Sequence, residues 1–510
     1  MFVRWLRATA LTVGLIAAPS LQAAAADDRL DVVAPWEINS LDPSRAGHVF
    51  LRMQVAETLV DTDHEGRLVP GLAERWDTSA DGRRWRFTLR DGVRFHDGSP
   101  LTAEAAVKAL RRAAARPGML SQAPIEAIEA DGPAVVLRLS RPYALLPALL
   151  AHSSTQVLAP AAFDDDGDTV AVIGTGPYAV TSLQTPQRLT VERFDDYWGE
   201  PASIEQASYL AAPRGETRAL MAQSGDADIV FTLDPASRLR LARQPNLTLA
   251  TTPLPRTVTV KLNAAHPALA DTSTRRALSL AVNRQGIARG VMRTPEAAAN
   301  QLFPPALADW HRHEPATPAR DLAAARALLD DQGWTLGDDG IRTRDGRRLA
   351  LTLTTFADRP ELPIIATALQ DQWRELGVEV SVNVGNASEI PAGHHDGSLE
   401  MGLMARNYGL VPDPLATLRE DFGPEGGDWG AMNWSDPRLT ALLESLTETP
   451  PGEARRDQAH AAAELLDAAL PVIPVAWYQQ TAAVNARLDG FSLDPLERSY
   501  RLTELSWSET

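Results

Sequence analysis

The residues able to do chemistry are scattered along this chain rather than gathered into a motif. There is no G-x-x-x-x-G-K-[ST], no H-E-x-x-H and no G-x-S-x-G, so a phosphate cradle, a zincin site and a nucleophile elbow all lack support. The absence of cysteine removes disulfides, thiolate metal sites and cysteine nucleophiles. The 66 carboxylates show no spacing that singles out an acid-base pair, and they read as solvated surface charge. His394-His395 is the most conspicuous metal bait. It sits among Pro391, Gly393 and Gly397, which reads as a loop, and no third ligand is near in sequence. A surface turn is expected there, and again at His311 and His313 in a proline-rich loop. We expect no catalytic residue, no metal site and no cofactor.

The elements that must carry any site are more legible. At 510 residues the chain exceeds one compact core, so two or three domains are expected. With 44% hydrophobic and 23% charged residues, the composition is that of a globular protein. A net charge of −17 disfavours nucleic acid and anionic membrane as partners. Arg4 and Arg7, an apolar run from Ala8 to Ala18 and the small residues Ala23 to Ala26 form the pattern of a cleaved signal peptide over 1–26. Without a cysteine to carry lipid, the exported chain is expected to be periplasmic and not lipid-anchored.

Trp76 to Leu110 is the most informative stretch. Trp85, Phe87 and Leu89 alternate with charged or polar residues, giving a strand with one apolar face. Asp81-Gly82, Asp91-Gly92 and Asp97-Gly98 are turn dipeptides. Thr102 is placed to cap a helix from Ala103 onward. Further on, the spacing predicts helices over Val49 to Leu59, Pro142 to Leu150, Asp321 to Gln332, Asp436 to Thr447 and Gly452 to Leu470. Leu349 to Leu353, a helix ending at Gly377, and Val378 to Val384 together predict a βαβ unit.

The run from Trp76 through Ser79, Asp81-Gly82, Trp85, Phe87, Leu89-Arg90-Asp91-Gly92-Val93, Phe95, Asp97-Gly98 and Pro100-Leu101 to Ala103-Glu104 resembles the signature of the family 5 extracellular solute-binding proteins. These are the peptide- and nickel-binding receptors of ABC importers. Gly174-Thr175-Gly176-Pro177-Tyr178 and Tyr197-Trp198-Gly199 resemble further marks of that family. The spacing lies nearer its nickel-binding branch.

The resemblance implies an α/β fold, the two-lobed class II periplasmic binding protein with discontinuous lobes. Its first lobe would span 27–257, with an extra subdomain at about 50–172. The second lobe would span 258–476, and 477–510 would return to the first. It implies a monomeric receptor, not an enzyme, that holds a small peptide or a nickel or other metal-chelate complex between its lobes and delivers it to ABC permease subunits. A secreted hydrolase is the alternative. The resemblance also implies ligand-binding residues: His48, His152 and Ser153 in the first lobe, and Arg406, Tyr408 and Asp413 in the second. Arg406 would meet a ligand carboxylate or, as a strand-end arginine, serve the fold, and Tyr408 would pack on the ligand. Asp413 is also expected as a turn cap before Pro414. Trp36 and Trp429 are further candidates for a pocket wall.

Overall fold

A computed structural model describes residues 29–116, 118–313, 319–357 and 359–508. The expected signal segment lies outside the described residues. Two long antiparallel strands, Leu247–Leu262 and Val472–Asn485, organise the chain. They lie side by side at the middle of a ten-stranded sheet. On one flank lie Met401–Asn407, Ala350–Phe356 and Glu379–Gly385; on the other lie Ile229–Phe231, Leu30–Ala34, Gln206–Ala211, Arg188–Arg193 and Tyr178–Gln184. The pairing runs from Leu247↔Asn485 to Lys261↔Val472, with a register shift between Pro253 and Thr257. Each proline lacks the N–H that a ladder needs, so a shift at Pro253 and Pro255 is where the pairing is weakest.

The apolar cores divide accordingly. One gathers buried side chains from Val258 to Ala476. Another gathers Leu30 to Phe231 with Ala482 to Leu505. In the first, Ala350–Phe356 pairs in parallel with Glu379–Gly385 across the helix Glu361–Glu375. That is the βαβ unit read from sequence, with Trp373 wholly buried on its inner face.

A separate four-stranded antiparallel sheet holds Ala73–Thr78, Arg84–Leu89, Ala134–Leu139 and Ile125–Asp131. The helix Ala103–Ala115 packs on it, and Thr102 Oγ1 caps that helix by accepting from the Ala105 N–H at 3.2 Å. Phe87 is fully buried and stacks with Trp76 and Trp85. This subdomain reaches the other half of the molecule. The Ala144 N–H donates to the Thr447 carbonyl at 2.7 Å, and Arg141 donates to Thr447 Oγ1 at 3.1 Å.

Some elements depart from their sequence pattern. The helix expected over Val49 to Leu59 runs instead from Pro43 to Arg52. Asp42 caps it by accepting from the Ser44 N–H at 3.0 Å, with Pro43 in the first turn. It stops because Gln54 takes a left-handed φ of 54° and the Val55 N–H turns back to the Phe50 carbonyl. The apolar run Pro142 to Leu150 forms only the short helix Leu146–Leu149. The expected His394-His395 loop is the last turn of a helix, Glu389–Asp396, which Gly397 ends in the left-handed region.

Candidate functional site

Most polar groups in the core are paired, so an unpaired one marks a place where something else could bind. Several such atoms gather where the two long strands run between the lobes: His48 Nε2, Arg52 Nη1 with the Tyr500 hydroxyl beside its guanidinium, Arg256 Nε, and Glu361 Oε1 near Arg359. His48 and Arg52 come from the helix Pro43–Arg52, one turn apart on the same face. Arg256 comes from the crossing strand, within its register shift between Pro253 and Thr257.

Glu497 ties the two arginines together. Its carboxylate accepts from Arg256 Nη2 at 2.6 Å and from Gln480 Nε2 at 3.3 Å, while its carbonyl accepts from Arg52 Nε at 2.6 Å. Burial pushes the Glu497 carboxyl up, but the charges of Arg256, Arg52 and Arg359 overcome this and hold it below the usual range. Arg359 approaches from the half that carries the βαβ unit, and lies 5.1 Å from the ring of Tyr478, which Arg256 also faces at 5.3 Å. Trp36 underlies Arg52, whose guanidinium sits 4.0 Å from the ring centroid.

His48 and His152 adjoin this cluster. Burial, then the charge of Arg52 and the neighbouring His152, lower His48 from its ordinary 6.5 to about 4. Burial and the charge of Arg498 do the same to His152, also to about 4. Both imidazoles are therefore neutral near pH 7. His152 Nδ1 accepts from the Ser154 N–H at 3.1 Å and lies 2.8 Å from its Oγ. The Ser153 carbonyl lies against Gly47, where a Cβ would stand 2.6 Å from it. His48, His152 and Ser153 are thus brought together in the first half of the molecule.

The second group is placed differently. Arg406 donates through Nε and Nη2 to Asp421 at 2.6 and 2.7 Å, a bidentate pair in which Asp421 is only 1% exposed. The guanidinium expected to meet a ligand carboxylate therefore meets a resident one. Tyr408, expected against the ligand, is 1% exposed and packs edge-on against Phe303 at 5.7 Å, inside the apolar core. Asp413 caps the turn before Leu415 at 2.9 Å and pairs with Arg455 at 2.5 Å. Trp429 packs edge-on against Phe356.

His394, His395 and Asp428 bring one ligand atom each within 4.8 Å of the others. The fully buried Lys261 ammonium donates to His394 Nδ1 at 3.0 Å and to the carbonyls of Gly427 and Asp428 at 2.6 and 2.9 Å. An ammonium has no acceptor, so His394 must accept at Nδ1 and carry its proton on Nε2. That leaves His395 and Asp428, too few for a metal cage.

The family motifs find a physical reason at Glu57. Its enclosed carboxyl accepts from Thr175 Oγ1 at 2.8 Å, Trp198 Nε1 at 3.0 Å and the Tyr197 hydroxyl at 3.0 Å. Gly174 and Gly176 press against the backbone beside it, where a Cβ would lie 2.1 Å from the Val55 and Gln54 carbonyls respectively. Only glycine allows that approach.

Fold and junction together define a two-lobed binding protein whose chain crosses between lobes on strands. More particularly, the profile of bacterial extracellular solute-binding proteins, family 5 (middle), matches residues 67–429, and the chain belongs to that family. The nickel-binding periplasmic protein of Escherichia coli K12 is 29% identical over 428 residues, 80% of this chain and 81% of that one. The glutathione-binding protein GsiB of Salmonella typhimurium is 28% identical over 404 residues, 76% and 75% of the two chains. The crystal structure of a nickel ABC transporter protein from Bacillus halodurans superposes with a TM-score of 0.77 at 25% identity, covering 94% of this chain and 99% of that one.

Arg52, Arg256, Arg359 and Glu497 were not singled out from sequence. Their partners lie 445 and 241 positions apart in the chain, and no local motif announces them.

Proposed function

We propose that the junction of the lobes captures a small solute bearing a carboxylate, a peptide or a metal-chelate complex, and that the protein passes it to an ABC permease. The observation that carries this reading is the pair of unengaged donors on Arg52 and Arg256, with the unpartnered Nε2 of His48 beside them, buried where both halves meet. A carboxylate there would answer the donors that the protein leaves open. The named relatives bind nickel and glutathione. Glutathione is a peptide with carboxylates, and nickel(II) favours nitrogen and oxygen ligands such as imidazole and carboxylate. His48 and His152, neutral near pH 7, would contribute imidazole nitrogens to such cargo. Arg406, Tyr408 and Asp413 would act indirectly, by holding the second-lobe wall.

In this reading the protein makes and breaks no covalent bond. Cargo bridges the lobes and stabilises the closed form, and the permease responds to closure. The exported monomer works in the periplasm, without its 1–26 segment and without a lipid anchor, and needs neither cofactor nor nucleic acid. A thermal-shift screen tests the reading, using di- and tripeptides, nickel with histidine, and sugars. Stabilisation by a peptide or a nickel-histidine mixture is expected. A response to sugars alone, or product accumulating from any probe, overturns it.

A further inference from the structure

The backbone of Glu497 carries a feature that the cargo reading does not require. Its φ is +55°, in the left-handed region that a non-glycine residue adopts at a cost. The surrounding loop is built to impose it. Asp494 accepts from the backbone N–H groups of Leu496, Arg498 and Ser499, at 2.9, 3.1 and 2.9 Å. Arg498 is anchored on the Ala151 carbonyl at 3.0 Å and on Asp61 at 2.6 Å. The outcome is that one residue aims its carbonyl at Arg52 and its carboxylate at Arg256.

That arrangement does two things at once. It fixes one edge of each guanidinium, so that Arg52 Nη1 and Arg256 Nε remain as the open edges. It also places a negative charge among three arginines. Glu361 supplies another, since it is 5% exposed, its Oε1 lacks a hydrogen-bond partner, and its charge acts on Arg359 and Tyr478. Glu361 and Glu497 thus set two carboxylates against Arg52, Arg256 and Arg359, while Arg218 and Arg238 add positive charge on the far side of Tyr478. His48 and His152 add none, being neutral near pH 7.

Resting on the cargo reading above, we propose that Glu497 is a positioning and charge-selecting residue, which restricts the site to solutes presenting one carboxylate beside a positive or metal-bound centre. An amino acid, a short peptide or an amino-acid chelate of a divalent metal has that character. The carboxylate would meet the open edges of Arg52 and Arg256, and the positive centre would face Glu361 and Glu497. A polyanion would gain the arginines but meet both glutamates, and like charges held close in a dry site repel strongly.

Calorimetric titration tests this with three probes: trialanine, nickel with L-histidine, and citrate. The natural chain is expected to bind trialanine or nickel-histidine at least about tenfold tighter than citrate. In Glu497→Gln, which keeps an acceptor for Arg256 but removes the charge, that ratio should fall by about tenfold, mainly through a gain in citrate binding. Glu497→Asp should keep the ratio near that of the natural chain. A purely structural role would weaken every probe together and leave the ratio alone, so an unchanged ratio in Glu497→Gln overturns the proposal. So does Glu497→Asp shifting the ratio as Glu497→Gln does. Should Glu497→Gln fail to fold, the natural chain still decides, because a preference for citrate there overturns charge selection. Binding of none of the probes by the natural chain overturns the cargo reading itself, and this inference with it.

Discussion

Arg256 and Arg406 sit on neighbouring strands, where Arg256 pairs with Asn407 and Thr257 with Arg406. Both are enclosed and both meet a buried carboxylate. They differ in what remains. Arg406 gives Nε and Nη2 to one carboxylate and forms a closed pair. Arg256 gives Nη2 to Glu497 and leaves Nε without an acceptor. A closed pair is a device of the fold. An open one is a buried donor with no resident acceptor, the feature on which the proposed function rests. One residue of separation in the sheet therefore divides an arginine engaged by its carboxylate from one with an edge left open, which the proposed function assigns to cargo, and residue type alone does not tell them apart.

The largest effect expected from this contrast is at Asp421. Asp421→Ala strands the Arg406 guanidinium in a site built for its neutralised form. Leaving one member of a buried pair without its partner costs about 3–5 kcal/mol. Urea denaturation should register that loss, with cargo affinity per folded molecule little changed. If the variant instead kept its stability and bound acidic cargo more tightly, Arg406 would belong with Arg256.

The next expected effect is a pH dependence seated at Glu57, away from both arginines. Burial, against hydrogen bonds from Trp198, Thr175 and Tyr197, raises this carboxyl from 4.5 to about 7. The folded protein then holds a proton that the unfolded chain releases above pH 4.5. This contribution to stability is complete below about pH 4.5, declines as pH rises, and is gone above about 7. Its span is up to about 3 kcal/mol. Stability curves at stepped pH should show Glu57→Gln flatter than the natural chain across that window. A variant with an unchanged slope would place the titration elsewhere.

The sequence carried much of the fold and little of the site, for one physical reason. The turn glycines, the alternating Trp85, Phe87 and Leu89, and the cap at Thr102 act on neighbours within a few residues. Such patterns are written locally, and so is the strand-helix-strand unit from Ala350 to Gly385. The resemblance to the solute-binding family rested on them too, and the family profile matches over 67–429. Ligand positions carried over by resemblance divided in two. His48, His152 and Ser153 lie near the open donors, whereas Arg406, Tyr408 and Asp413 are engaged by Asp421, by the core around Phe303, and by Arg455. Nothing local tells a strand-end arginine whether a carboxylate awaits it from a distant loop. The histidine pair at 394–395 misled for a related reason. Pro391 and Gly393 read as loop formers, yet Pro391 falls in the first turn of a helix, where its missing N–H has no partner to lose.

At Arg52 the contrast can be tested on cargo rather than on folding. Arg52→Met keeps a long apolar stem over Trp36 and removes the open Nη1 edge. A charge-assisted hydrogen bond to a carboxylate is worth about 2 kcal/mol, so affinity for trialanine or nickel-histidine should fall roughly thirtyfold in a calorimetric titration. Unaltered affinity would return Arg52 to the structural class.

The smallest expected effect is also the one that separates the two regions most cleanly. His48 Nε2 is buried and unpaired, and its ring is held neutral by burial and by the charge of Arg52. An unpaired buried polar group detracts from stability by about 1 kcal/mol or more. His48→Leu removes that group in a site that is already enclosed. The empty protein should therefore melt at the same temperature or slightly higher, by about 1 kcal/mol of added stability, while cargo binding weakens. The gain should grow as pH falls from 6.5 towards 4, because the natural chain loses stability there as its unfolded form takes up a proton that folded His48 refuses. A residue that serves only the fold cannot be removed with a gain in stability and a loss of binding. Should His48→Leu destabilise the empty protein and bind cargo unchanged, the open donors at this junction are a packing defect, and the division drawn between Arg256 and Arg406 fails with them.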